Sequence, residues 1–187
     1  EHLPSKQTVR GSNPLAITSN LTLVGRVFFY IYKMYLDSNN IEKYLEKLNE
    51  SSSPKWGTLH PSQMLFHCNT FIEVSLGLKK INLITRLSSR LFFRYFFLKY
   101  LNYIDFNIYK FKRNSATLPI FKTFPKTIDL DKEKNKLIKI YKKVEEISSK
   151  KMHHQMYGTI PTITLKKLVR FHTSYHFNQF ELFLKKK

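Results

Sequence analysis

Hydrophobic positions recur along this chain with a helical period, in blocks separated by short polar or proline-containing stretches. Ile41, Tyr44, Leu45 and Leu48 mark a first apolar face and predict a helix from about Asp37 to Asn49, capped by Asp37 or Ser38. Ser51-Ser52-Ser53-Pro54 reads as a loop. Met64, His67, Cys68, Phe71, Ile72 and Ser75 form the next stripe, on a helix that starts near Pro61 and ends about Leu76, before Gly77. The run Ile81–Leu101 is apolar nearly all round, with Arg86, Arg90, Arg94 and Lys99 interspersed. Central arginines are expensive in lipid, so a bundle helix or its lead-in is expected there rather than a membrane span. The arginines recur every fourth residue and are read as its wet face.

Residues 102–128 contain Pro119 and Pro125, carry no sustained period, and read as a long connection. Leu130, Leu137, Ile140, Tyr141, Val144 and Ile147 predict a helix over about Leu130–Ser148, and Lys150–Pro161 reads as a loop. The last helix follows Thr162. Its stripe is Leu165, Val169, His172, His176, Gln179 and Phe183, apolar at both ends with two imidazoles and an amide in the middle. With five Gly and seven Pro in 187 residues and 42% hydrophobic positions, the chain has the composition of an all-α domain with a real core.

Residues 1–33 read differently. The chain starts at Glu1, and Gly11-Ser12-Asn13-Pro14 is what GGT-TCG-AAT-CC encodes, the T-arm sequence near the end of many tRNA genes. Residues 1–33 are therefore expected to be a non-core extension translated from upstream DNA, with Met34 the start of a domain over 34–187. Leu21–Tyr32 is too short to span a bilayer and is broken by Arg26, so an anchor there is the less favoured reading.

The formal charge is +19, of which +16 lies in residues 34–187. Nucleic acid or an anionic membrane surface could answer such a charge. The basic residues are spread out, however, with no Arg-rich arm and no zinc-finger or helix-turn-helix signature. AT-rich codon usage, which favours Lys, Asn, Ile, Phe and Tyr, is the preferred account. The single cysteine, Cys68, excludes an intramolecular disulfide and points to a reducing compartment, with the cytoplasm as the expected location. Cys68 is turned about 100° from His67 and reads as core.

The candidate chemistry lies in the histidines. His172 and His176 sit one turn apart on one face, and His67 shares the inward stripe of another helix. Buried imidazoles without partners are costly, and three that face one another suit a divalent ion with an open fourth position. The bland alternative is a set of hydrogen-bonded core histidines. Gln179, one turn past His176, is a candidate to hold water or a ligand group. His154 is a candidate to orient a metal-bound ring, or else to tie its loop to the helices. No residue other than the histidines stands out as a general base, and the catalytic residue is left unassigned.

Several stretches then line up with one family. Lys55-Trp56-Gly57-Thr58-Leu59-His60-Pro61-Ser62-Gln63-Met64-Leu65-Phe66-His67-Cys68 resembles the WGxMxxxQMLxHC opening of the DinB-like superfamily, in its branch of uncharacterised single-domain bacterial proteins. Phe111 to Pro119 resembles that branch's KNSPTAP stretch, Asp131-Lys132-Glu133-Lys134 its FExEK, and His154 to Gly158 its HPxFG. His172 to Phe180 resembles its HxxHHxxQF, with Tyr175 in place of the middle His and Ser174 in place of the Asp of HLDHH. The resemblance covers about residues 36–184. It implies an up-down-down-up four-helix bundle and a divalent ion, often nickel or zinc, on residues matching His67, His172 and His176. It also implies a small-molecule substrate. Some relatives are thiol S-transferases using low-molecular-weight thiols such as bacillithiol or mycothiol. The function expected is therefore a metal-dependent enzyme, a thiol S-transferase or hydrolase-like, with a homodimer as a possible assembly. The rivals are a non-catalytic metal-binding or stress-response module, and a basic protein that binds nucleic acid or a membrane surface.

Overall fold

The computed structural model describes residues 36–115 and 117–183. The expectations for residues 1–33 fall outside these residues. The described part is mostly helical, with one two-stranded sheet. In chain order the elements are α1 (Ile41–Leu45), α2 (Pro61–Ser75), α3 (Leu83–Phe92), a π-helical turn (Phe93–Phe97), α4 (Leu98–Tyr103), a 3-10 turn (Pro119–Phe121), α5 (Leu130–Glu145), β1 (Lys151–His154), β2 (Gly158–Pro161) and α6 (Thr162–Gln179).

The interior is built chiefly by α2, α5 and α6. Their stripes place Met64, Leu65, Ile72, Leu137, Tyr141, Leu165, Val169 and Phe177 out of solvent. Burial of such a side chain contributes roughly 1.5–3 kcal/mol, which is why amphipathic periodicity determines which face turns inward. Polar links fix how the helices meet. Asn69 Nδ2 donates to the Glu133 carbonyl oxygen at 3.0 Å and to its Oε2 at 2.6 Å, joining α2 to α5. Arg170 clamps Glu145 through two bonds, Nε to Oε1 at 3.0 Å and Nη2 to Oε2 at 2.7 Å, joining α6 to α5. α5 starts at a capped end, where Asp129 Oδ1 accepts from the Lys132 amide at 2.9 Å.

Three sequence expectations are corrected. The first helix is a single short turn, Ile41–Leu45 rather than Asp37–Asn49. Asp37 Oδ1 is engaged by the amides of Asn39 and Asn40 in a turn of its own, so it does not open a longer helix. The expected loop Lys150–Pro161 contains an antiparallel hairpin, in which Met152 pairs with Ile160 and His153 with Thr159. Two four-residue strands are too short to give a readable period. The third correction concerns the arginines of Ile81–Leu101. Arg86 and Arg90 are half-buried, and the Nε atom of each is out of reach of solvent. Arg90 Nη2 bonds to His153 Nε2 at 2.7 Å, so Arg86 and Arg90 do not lie on a wet face, whereas Arg94 is exposed as expected. Leu83, Ile84, Leu87, Leu91, Phe92, Tyr95 and Phe96 are exposed as well. No helix among the described residues is long and apolar enough to cross a membrane.

Candidate metal centre

The centre forms where α2 and α6 pack together. His67 lies at the middle of α2, and His172 and His176 lie one turn apart on α6. The ring centroids are 4.9 Å (His67–His172), 4.6 Å (His67–His176) and 4.8 Å (His172–His176) apart. One ring nitrogen from each histidine falls within 4.8 Å of the others, and no other such group of ligating side chains occurs among the described residues. Phe71, one turn along α2 from His67, stacks on His172 at 4.0 Å and 15° and fixes that ring by packing.

Hydrogen bonds set the tautomers. The carbonyl oxygen of Phe121 can only accept, so the 2.9 Å contact to His67 Nδ1 places a proton on Nδ1 and leaves Nε2 as a lone pair. Gln179 Nε2 donates to the Trp56 carbonyl at 2.6 Å, which turns its Oε1 towards His176. That oxygen accepts from His176 Nδ1 at 2.9 Å, so Nε2 of His176 is likewise a lone pair. His172 Nε2 lies 3.1 Å from His67 Nε2 and donates to it. The other nitrogen of His172, Nδ1, is buried without a hydrogen-bond partner among the described residues.

All three rings are held neutral. Burial, with the neighbouring His67, pushes His176 down to about 3 against the bond from Gln179. Burial and the two neighbouring imidazoles push His172 well below the ordinary range. Burial also lowers His67, opposed by the Phe121 carbonyl. Neutral imidazole is the form that ligates a metal, and protons then compete with it only weakly. Two rings hold a lone pair on Nε2, the third meets them through its own Nε2, which would ligate once its proton moved to the unpartnered Nδ1, and no carboxylate lies among them. The residues present fit a divalent ion.

The histidines form part of the wall of a cavity of about 900 Å³. Phe71, Phe121, Phe171 and Tyr175 surround them, and Phe93, Phe97, Phe111, Met156 and Tyr157 continue the apolar lining. Thr58, Lys112, Asn114, Ser115 and Lys122 also line it, and all five are solvent-exposed. Trp56 Nε1 donates to the Tyr175 hydroxyl at 3.3 Å, and the Arg113 guanidinium sits 4.5 Å over the Trp56 ring.

His154 stands apart from the three rings and outside the cavity lining. Its Nδ1 accepts from the Met156 amide at 3.1 Å, and its Nε2 donates to Ser75 Oγ at 3.0 Å, tying the hairpin to the end of α2. Burial, with His153 nearby, pushes it down to about 3. Cys68 is fully buried against Met64, Sγ to Sδ 3.8 Å, and burial raises its thiol well above the usual range, so it is no nucleophile. Phe121 and Gly57 carry roles that no side-chain pattern announces. Phe121 acts through its carbonyl from a stretch without periodicity. Gly57 adopts φ +80°, and a Cβ there would lie 2.7 Å from Gln179 Nε2, so glycine is what lets the Gln179 amide reach Trp56. No family model, curated protein or solved structure matches this chain.

Proposed function

We propose that this chain is a DinB-like four-helix-bundle metalloenzyme in which His67, His172 and His176 hold one divalent ion, nickel or zinc, at the wall of an aromatic cavity. The observation that carries the reading is the position of the three neutral imidazoles on a cavity of about 900 Å³, since a purely structural site would be closed. When bound, such an ion supplies Lewis acidity and lowers the pKa of a thiol or water that joins it.

The chain's own residues bind and orient. Phe121 and Gln179 hold the His67 and His176 rings in their ligating tautomers. The aromatic lining excludes water and accepts an apolar body. Lys112 and Lys122 belong to the lining and no carboxylate does, which suits a substrate with an anionic end. Such an ion would lower the pKa of either nucleophile without a carboxylate base, and the two lysines of the lining favour an anionic thiol over water. Transfer of a low-molecular-weight anionic thiol onto an apolar electrophile is therefore the leading reaction, and hydrolysis the second.

The test is metal analysis of the purified chain followed by a conjugation assay with several low-molecular-weight thiols. Consumption of a thiol by the metal-loaded wild type, and none by His172→Ala, is the expected outcome. Stoichiometric metal without turnover of any thiol or ester would make the protein a non-catalytic metal-binding module.

A further inference from the structure

The helical stretch from Leu83 to Tyr103 has two faces with different partners. Ser89, Phe93, Phe97 and Leu101, every fourth residue, turn inward: Ser89 and Leu101 are buried, and Phe93 and Phe97 line the cavity. The opposite face is apolar and open. Ile84 is 81% exposed, Leu91 72%, Phe92 63% and Phe96 64%, with Leu83, Leu87 and Tyr95 beside them. A contiguous patch of this kind on a folded protein marks an interaction surface.

The charge around the patch identifies what covers it. Residues 74–104 hold six Lys and Arg and no Asp or Glu, and of the six Lys80, Arg94 and Lys99 are exposed. Arg90 and Arg94 lie along the hairpin side, Arg90 bonded to His153 and Arg94 Nη2 donating to the Thr159 carbonyl at 3.4 Å. Two copies joined through this face about a two-fold axis would bring two like-charged sets together. Nucleic acid would engage the cations and leave the leucines and phenylalanines in water. An anionic bilayer satisfies both, because the apolar side chains enter the acyl boundary while lysine and arginine meet the headgroups.

We infer that the exposed face of Leu83–Phe97 is an interfacial membrane-docking surface, selective for anionic lipid. The helix lies in the plane of the interface, consistent with its being too short and too charged to cross. Phe93 and Phe97 on the inner face line the cavity, so docking sets that wall one helix diameter from the bilayer and gives an amphiphilic substrate a short path inward. The inference is independent of the metal.

Flotation of the full-length chain with phosphatidylcholine vesicles, with and without about a third phosphatidylserine, tests it. The wild type is expected to partition at least about tenfold more strongly onto the anionic vesicles, and less strongly as salt is raised. The triple variant I84E/L91E/F96E, with all three side chains in solvent, should keep its far-ultraviolet spectrum and lose at least about 100-fold in partitioning. K80E/K99E should lose about 30-fold on anionic vesicles alone. Failure of the wild type to bind either vesicle would overturn the inference. So would undiminished binding by the triple variant, equal binding to both vesicles, or a wild-type dimer in sedimentation that the triple variant dissolves.

Discussion

At the scale of single residues, the histidines and Gln179 were legible because helical spacing shows which side chains share a face. Their supports were not. Gly57 has no side chain, and Phe121 acts through its backbone, so neither leaves a chemical signature in sequence. Outer partners of metal-bound imidazoles typically matter by 10–100-fold in affinity. Gln179→Ala should therefore weaken metal binding about 10–100-fold in competition with a chromophoric chelator, with helicity unchanged. Gly57→Ala should act in the same direction by driving a Cβ into the Gln179 amide. Gly77→Ala is the control: Gly77 has φ +75° but nothing within 4 Å, so it carries the backbone strain without the collision and should leave metal affinity alone. His154 gives a pH prediction. Its ordinary value is 6.5 and its folded value about 3. Above 6.5 neither state binds the proton and full stability is present. Between 6.5 and about 3 the unfolded chain takes up the proton and the folded chain does not, so stability falls as pH falls. The loss is about 1.4 kcal/mol per pH unit for this group. Urea titrations of metal-free protein across that window should show a shallower pH slope for His154→Gln than for wild type, by about one proton; equal slopes would refute a neutral buried His154.

At the scale of elements, α2, α5 and α6 were readable because each has one apolar stripe. The Leu83–Tyr103 stretch was not. A run that is apolar nearly all round has no informative period, so the arginines alone suggested an orientation. The arginines were only a partial guide: Arg86 and Arg90 are half-buried, with Arg90 bonded to the hairpin, while Arg94 stays exposed. The hairpin itself was invisible, since four residues per strand cannot be told from a loop by alternation. A pair of truncations separates core from surface. Leu137→Ala, at a fully buried position of α5, should cost about 2–5 kcal/mol in chemical denaturation. Ile84→Ala, 81% exposed on α3, should cost no more than about 0.5 kcal/mol. A large loss at Ile84 would mean that this face is covered within the folded chain.

At the scale of the whole molecule, helical class was predictable from few Gly and Pro and from the period of the stripes. The meeting of His67 with His172 and His176 required the packing of α2 on α6, which one sequence suggests only through shared inward faces. The excess positive charge has a different status in the folded chain from the one composition gave it. Scattered along the sequence it looked like codon bias, yet six of the cations fall in a stretch without any carboxylate, and three of them, Lys80, Arg94 and Lys99, are exposed there. Phe93 and Phe97 of this stretch line the same cavity as the three histidines. The central claim is that three histidines form a metal centre. Its most direct test is the metal content of the full-length chain by elemental mass spectrometry after equilibration with nickel or zinc and removal of unbound ion. One ion per chain in the wild type, none in His172→Ala, and the same far-ultraviolet spectrum for both is the predicted result. A wild type that retains no metal, or a His172→Ala protein that retains it in full, would contradict the assignment.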